Sequence, residues 1–347
     1  MSLSLPIVKP SEITPYPNGW FVVAFSHELA PGSVQPLKAF GRDLVLFRTE
    51  DGEVHLADGH CPHFGAHLGH GGRVEGNCIR CPFHGWHFEG ESGQCKSIPN
   101  GDLPPKLARL RKWSIEEKSG MILTWHHDRG HGPDWHVDTL PEFDAPGWSD
   151  WLTDEWTIDA KLQDIAENDA DIARSPAMHS LTDELPKASE PVIEGPVFSW
   201  NLQIKPSLRQ FGLPASLKVP DGVALQITTR RYGLAFAWIR VTLPLVGGLS
   251  YRVQTIAYTL PVDESKVQLR LAHRTRKTPI RAVTRQLLRF YRDQFHQTVD
   301  EDIPVWENKI YLDRPAASRS DAGVLRFRKW ARQFYTNPVR EKLASNS

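Results

Sequence analysis

Cys61-Pro62-His63 and Cys81-Pro82-Phe83-His84, with 17 residues between them, put two thiols and two imidazoles within reach of one inorganic centre. Such a set can hold an iron–sulfur cluster unequally, with two thiolates on one iron and two imidazoles on the other. Neutral ligands make an added electron easier to accept, lifting the potential to roughly −150 to +300 mV from about −400 mV in all-cysteine plant-type centres. The same four side chains could hold zinc, which accepts any mixture of nitrogen and sulfur. Gly65, Gly69, Gly71 and Gly72 after the first pair, and Gly85-Trp86 after the second, suit two tight loops that turn backbone N–H groups toward cluster sulfurs, and so favour the cluster. His60, His67, His70 and His87 lack ligand spacing and are expected in loops or on the surface. Cys78 and Cys95 are expected as buried packing thiols.

With 347 residues, a formal net charge of zero and 40% hydrophobic residues, the chain has the length and core for about two domains. Neutral charge argues against nucleic acid, and no apolar run approaches the ~18 residues that span a bilayer, so no membrane partner is expected. The absence of a signal peptide and of a cysteine excess points to the reducing cytoplasm. No flavin or nicotinamide fingerprint follows a strand, which leaves reducing equivalents to a separate protein.

Short β-like runs, Trp20–Phe25, Leu44–Phe47 and Met121–Trp125, predict a small antiparallel domain over residues 1–127 that carries the four ligands. Residues 128–150, rich in Asp, Gly and Pro and flanked or occupied by His126, His127, His131 and His136, read as a linker. Residues 151–347 then combine a polar helical stretch from Asp159 to Arg174 with strands at Val197–Ile204, Ala224–Ile227, Leu234–Val241, Tyr251–Leu260 and Lys266–His273. A long helix over Pro279–Val299 is expected to bury Val283, Leu287, Phe290, Tyr291 and Phe295, leaving an apolar pocket between helix and sheet. The tail from Val324 to Tyr335 reads as a final amphipathic helix. Arg270, Arg274, Arg276, Lys277, Arg281 and Arg285 form a basic stretch that could receive an acidic electron donor, although a solvated strand end and helix face explains it as well.

Three stretches together resemble the oxygenase components of Rieske non-haem iron oxygenases: the cluster motif, Glu167 to His179, and Asp302 to Lys309. The resemblance covers nearly the whole chain and is nearest the branch of 3-ketosteroid 9α-hydroxylase oxygenase, cholesterol 7-desaturase and aminopyrrolnitrin oxygenase. It implies an α+β architecture, an N-terminal all-β Rieske [2Fe-2S] domain followed by a helix-grip domain whose antiparallel sheet wraps a long C-terminal helix. Cys61, His63, Cys81 and His84 become the cluster ligands. The resemblance also implies a head-to-tail trimeric or hexameric assembly, in which Asp171 bridges to His84 of the next subunit, and an external ferredoxin or flavin reductase.

Such enzymes hold a catalytic Fe(II) with two His and one carboxylate. The family's pattern E-N-x-x-D-x-x-H-x-x-x-x-H is met at Glu167, Asn168, Asp171 and His179, but Arg174 stands at the first histidine. A guanidinium has no lone pair to give and cannot replace it. His179 and Asp302 remain, too few to hold a mononuclear iron firmly; Asp169, Asp183 and His296 are conceivable substitutes. Arg174 could instead supply the positive charge, pairing with Asp302 and Asp171. The expected function is therefore a companion subunit, without its own mononuclear iron, in a heteromeric oxygenase hydroxylating a steroid-like or other polycyclic hydrophobic substrate beside a homologue with a complete site. The alternatives are an active monooxygenase with an unusual third iron ligand, or a non-catalytic Rieske carrier or structural subunit.

Overall fold

Every residue of strand β1 (Gly19–Phe25) is buried, and the strand reaches that burial by pairing antiparallel with the equally buried β10 (Met121–His126), which also pairs with β9 (Ile115–Lys118). A second three-stranded sheet is made by β2 (Val34–Ala39), β3 (Arg42–Arg48) and β4 (Val54–Asp58), and a four-stranded one by β5 (Arg73–Glu75), β6 (Cys78–Arg80), β7 (His87–Glu89) and β8 (Cys95–Ser97). These belong to the first of two units in this computed structural model, which describes residues 15–171, 186–205, 224–244, 250–312 and 314–336.

The first unit comprises residues 18–143 together with the short distant segment Leu260–Ser265. That segment is held at the tip of the β2–β3 hairpin, where Phe40 and Gly41 both have positive φ (55° and 66°). The backbone there turns its N–H groups outward, and they donate to Pro261 O at 2.8 Å and Val262 O at 2.9 Å. A non-glycine residue in this conformation costs about 1–2 kcal/mol. Burial of the Phe40 ring, stacked on His126 at 4.4 Å and edge-on to Phe21, offsets it. Residues 128–143, assigned to a linker by composition, carry enough apolar side chains to pack on this unit: Val137 and Leu140 are buried, and Trp20 Nε1 donates to Trp135 O at 2.7 Å. The second unit takes up the chain again from Asp144 to Thr259 and from Lys266 onward.

The second unit is built on one antiparallel sheet in the order β11 (Leu152–Ile158), β18 (Val267–Thr275), β17 (Ser250–Pro261), β16 (Phe236–Pro244), β15 (Leu225–Tyr232), β14 (Val197–Ile204) and β12 (Lys187–Ala188), with β13 (Val192–Glu194) also on β14. Helix α1 (Leu162–Ala166) continues into a 3-10 turn at Glu167–Ala170; α2 (Arg281–Asn308) crosses the sheet at β11 and β18, and α3 (Ala322–Ala331) closes the chain.

Helix α2 buries only part of the face its apolar residues indicated: Leu287, Tyr291 and Phe295 are half-buried, with Tyr291 and Phe295 against the His273 ring. Thr284, Leu288, Val299, Asp302 and Trp306 form the buried stripe, while Val283 and Phe290 are 41% and 44% exposed. The helix meets a sheet face that is polar as well as apolar, and this moves the buried stripe one residue along. His273 on β18, with no exposed surface, contacts Thr255 Oγ1 through Nδ1 at 2.9 Å, and that hydroxyl contacts the Tyr291 hydroxyl at 3.2 Å. Burial pushes the His273 imidazole down to about 4. An unfolded histidine titrates near 6.5, so between about pH 6.5 and 4 the unfolded chain takes up a proton that the folded one refuses. The stability from this group is whole above that window and falls as pH drops through it. We expect a loss of about 3 kcal/mol between pH 7 and pH 4 in denaturant unfolding, from which His273→Gln should be largely exempt.

Candidate redox site and the Glu167–Asp171 turn

The two cysteine loops have the same backbone. Cys61 N–H donates to Ala66 O at 2.9 Å while Gly65 N–H donates to Cys61 O at 2.9 Å; Cys81 N–H donates to Trp86 O at 2.8 Å while Gly85 N–H donates to Cys81 O at 3.1 Å. Gly65 and Gly85 have φ of 76° and 67°, a left-handed step that lets each loop double back over its cysteine. The first loop closes tightly on its own end, since a Cβ on Gly72 would lie 2.1 Å from Leu68 O.

Within this frame Cys61 and Cys81 are each only 2% exposed and share a core with Leu68, Ile79, Trp86 and Phe88. Burial, reinforced by the adjacent Cys81 sulfur, pushes the Cys61 thiol up to about 12, so Cys61 holds its proton unless a cation draws it off. The rings of His63 and His84 lie edge to face with centroids 4.7 Å apart, and His63 is stacked on Trp86 at 4.1 Å. His63 Nδ1 is buried without a hydrogen-bond partner among the described residues. Phe64 and Phe83, beside the two histidines, are 73% and 65% exposed.

The other histidines and cysteines of this unit have local duties. His60 contacts Gly65 O at 3.0 Å and Asp43 at 3.3 Å, and both raise its pKa. His87 bridges Glu75 (2.7 Å) and Ser97 (3.2 Å); His67 lies against His70. Cys95 is buried beside Ser97 O, whereas Cys78, expected to be buried, is half-exposed and contacts Asn77 Oδ1 at 3.3 Å, because β6 turns it away from the core. His136 pairs with Glu116, and His127 with Asp128.

In the second unit the acids of the Glu167–Asp171 run point in different directions. Glu167 is buried and held by Arg328 through Nε at 3.0 Å and Nη2 at 2.8 Å, with Gln163 also donating to it. Asp169 accepts from Arg231 Nε at 2.9 Å. Asn168 donates through Nδ2 to Oδ2 of the buried Asp302 at 2.8 Å, tying the turn to α2. Asp171 ends the turn, half-exposed, and its carboxylate has no partner among the described residues. His296 is taken by Asp154 at 3.1 Å. Arg174, His179 and Asp183 lie outside the described residues.

Residues 19–108 match the Rieske [2Fe-2S] domain family, and residues 124–335 match the family described as the 3-Ketosteroid 9alpha-hydroxylase C-terminal domain. The chain belongs to the Rieske oxygenases. Among its relatives, a cholesterol 7-desaturase of Bombyx mori is 33% identical over 93% of this chain and 70% of its own length. The probable 3-ketosteroid-9-alpha-monooxygenase oxygenase component of Rhodococcus rhodochrous is 27% identical over 93% and 80%. The crystal structure of dicamba monooxygenase bound to dicamba shares the fold with a TM-score of 0.72 at 18% identity, covering 95% of this chain and 98% of the other.

As a Rieske oxygenase the chain is an oxidoreductase, and its first unit fits the [2Fe-2S] group. Two adjacent buried thiols, an orphaned imidazole nitrogen and a second imidazole at ring distance are the donor set such a group needs. The α+β architecture of an all-β first domain and a sheet domain with a long helix is that of the Rieske oxygenases. What sequence reasoning missed is the set of counter-charges: Arg231 and Arg328 lie 62 and 161 residues from the acids they hold, and no local pattern marks them.

Proposed function

We propose that this Rieske oxygenase is an electron-delivering companion subunit of a heteromeric oxygenase, acting in the cytoplasm on a sterol-like or other polycyclic hydrophobic substrate. The observation that carries the reading is Arg174, which stands where the family pattern has an iron-binding histidine and cannot give a lone pair. Of the side chains that could stand in, the two among the described residues are already engaged: Asp169 by Arg231 and His296 by Asp154. Asp302 and His179 are left as remnants of a ligand set, with mononuclear Fe(II) not held.

On the electron side, the [2Fe-2S] group when bound supplies one-electron transfer at a raised potential. The chain's residues do the rest. Cys61 and Cys81 bury their sulfurs away from water, Trp86 fixes the His63 ring by stacking, and the exposed His84 sits against the rings of Phe64 and Phe83. An exposed aromatic collar around a ligand histidine suits coverage by a neighbouring subunit in a head-to-tail trimer or hexamer. The Asp171 carboxylate, without a partner among the described residues, suits a hydrogen bond from His84 of the next subunit, in keeping with a bridging role. Phe64→Ser with Phe83→Ser is expected to lower the assembled mass in sedimentation while leaving the visible spectrum of the cluster in place.

The substrate class rests on the relatives' names and on the sheet face under α2. There Ala237, Ile239, Val241 and Val253 form an apolar floor, with Leu225 and Ile227 packed against it, suited to a rigid hydrocarbon skeleton. Electrons come from a separate ferredoxin or flavin reductase. The deciding experiment is iron and acid-labile sulfide per purified chain, with an electron paramagnetic resonance spectrum of the reduced protein. Equal iron and sulfide with a Rieske-type signal is the expected result, followed by co-purification of a homologue with a complete iron site. An extra iron per chain would overturn the reading in favour of an active monooxygenase.

A further inference from the structure

We propose that the N-terminal half of α2 is a docking face for an anionic phospholipid surface. Its purpose rests on the sterol-like substrate reading, since such substrates dissolve in bilayers; its location rests on charge and exposure alone. Part of the basic stretch is absorbed within the second unit: Arg270 pairs with Glu155 at 3.2 Å, Arg274 with Gln254 at 2.9 Å, and Arg276 lies over Trp148 at 4.5 Å. The side chains of Lys277, Arg281, Arg285 and Arg289 have no carboxylate or hydrogen-bond partner among the described residues. The four line one cavity of about 560 Å³, shared with Trp151 and a single acid, Asp150.

Arg281, Arg285 and Arg289 recur at every fourth residue along one flank of the helix, and the first turn carries no acid. Like charges at this spacing repel, and the positive end of the helix dipole disfavours them further. An anion from outside the chain relieves both. On the other flank Ile280 and Val283 are 62% and 41% exposed. Cations beside exposed aliphatic side chains are the mark of a helix that meets a membrane surface, where head-group phosphates take the guanidinium groups and the acyl boundary takes the aliphatic ones. Free phosphate or an acidic protein face accounts for the first half of that pattern and leaves the aliphatic half in water. The contact is peripheral, for no helix among the described residues is long and apolar enough to cross a membrane.

The test is co-sedimentation of the cluster-loaded protein with phosphatidylcholine vesicles, with and without phosphatidylglycerol. Binding should require phosphatidylglycerol and weaken with salt. Each cation near such a surface contributes about fivefold to partitioning, so Arg281→Gln with Arg285→Gln and Arg289→Gln should weaken it about a hundredfold. Val283→Ser should weaken binding to the same vesicles without changing its salt dependence, and an unchanged visible spectrum guards against unfolding. Equal binding to both vesicle types, or full binding by the triple variant, would overturn the proposal. So would vesicle binding that inorganic phosphate at moderate concentration abolishes, which would mark a small-anion site. Loss of association with the purified electron donor in the triple variant, with no vesicle binding by the wild type, would mark a protein docking face instead and also overturn it. Because sterol turnover is not the readout, failure of the substrate reading would leave this result standing on its own.

Discussion

Arg174→His is expected to add one iron per chain beyond the cluster. The reasoning starts from what is still in place: Asp302 is buried, and Asn168 donates to one of its oxygens at 2.8 Å, so the carboxylate remains aimed. Glu167 and Asp169 are neutralised by Arg328 and Arg231 independently of position 174. Restoring a histidine at position 174 completes, with His179 and Asp302, the two-histidine, one-carboxylate set of the family pattern that Fe(II) takes. Iron analysis after anaerobic loading, with a high-spin ferrous probe signal, is the readout. No gain in iron would mean the cavity has closed around the arginine, and it would end the idea of a recently lapsed pocket.

Cys81→Ser is expected to abolish the visible spectrum, the labile sulfide and all electron delivery. Both cysteine loops wrap one buried core, so losing a thiolate also removes a cross-link between β6 and the loop after β4. Because binding of such a group contributes to folding, the first unit should melt at lower temperature as well. Cys78→Ser and Cys95→Ser are the controls. Neither thiol is in a ligand loop, and both variants should keep the full spectrum; loss of the cluster in either would refute the ligand assignment.

The cluster motif was legible because its chemistry is local: two cysteines, two histidines and the glycines that fold them lie in one short stretch. The strands of the second unit were legible for the same reason, as alternating runs that recur with little shift, such as Val197–Ile204. The α2 interface was not. Its buried stripe includes Thr284 and Asp302, which a search for apolar spacing skips, while Val283 and Phe290, which that search selects, face outward. The charge partners of Glu167 and Asp169 were equally hidden, being brought in by β15 and α3 from far along the chain. Long-range ion pairs obey no period, so only the fold displays them.

The hydrogen bonds from Phe40 and Gly41 to Pro261 and Val262 set a schedule for biosynthesis. A ribosome delivers residues 18–143 first, yet the unit they build includes Leu260–Ser265. At about 5–20 residues per second the missing segment arrives on the order of ten seconds later. Through that interval the nascent unit, which also carries the loops that must receive iron and sulfur, lacks the acceptors for two backbone donors on a left-handed turn. Delivery of the inorganic atoms is therefore best timed after the hairpin of β17 and β18 has been synthesised, and a gene fragment ending at Phe143 should yield a protein that loads iron poorly.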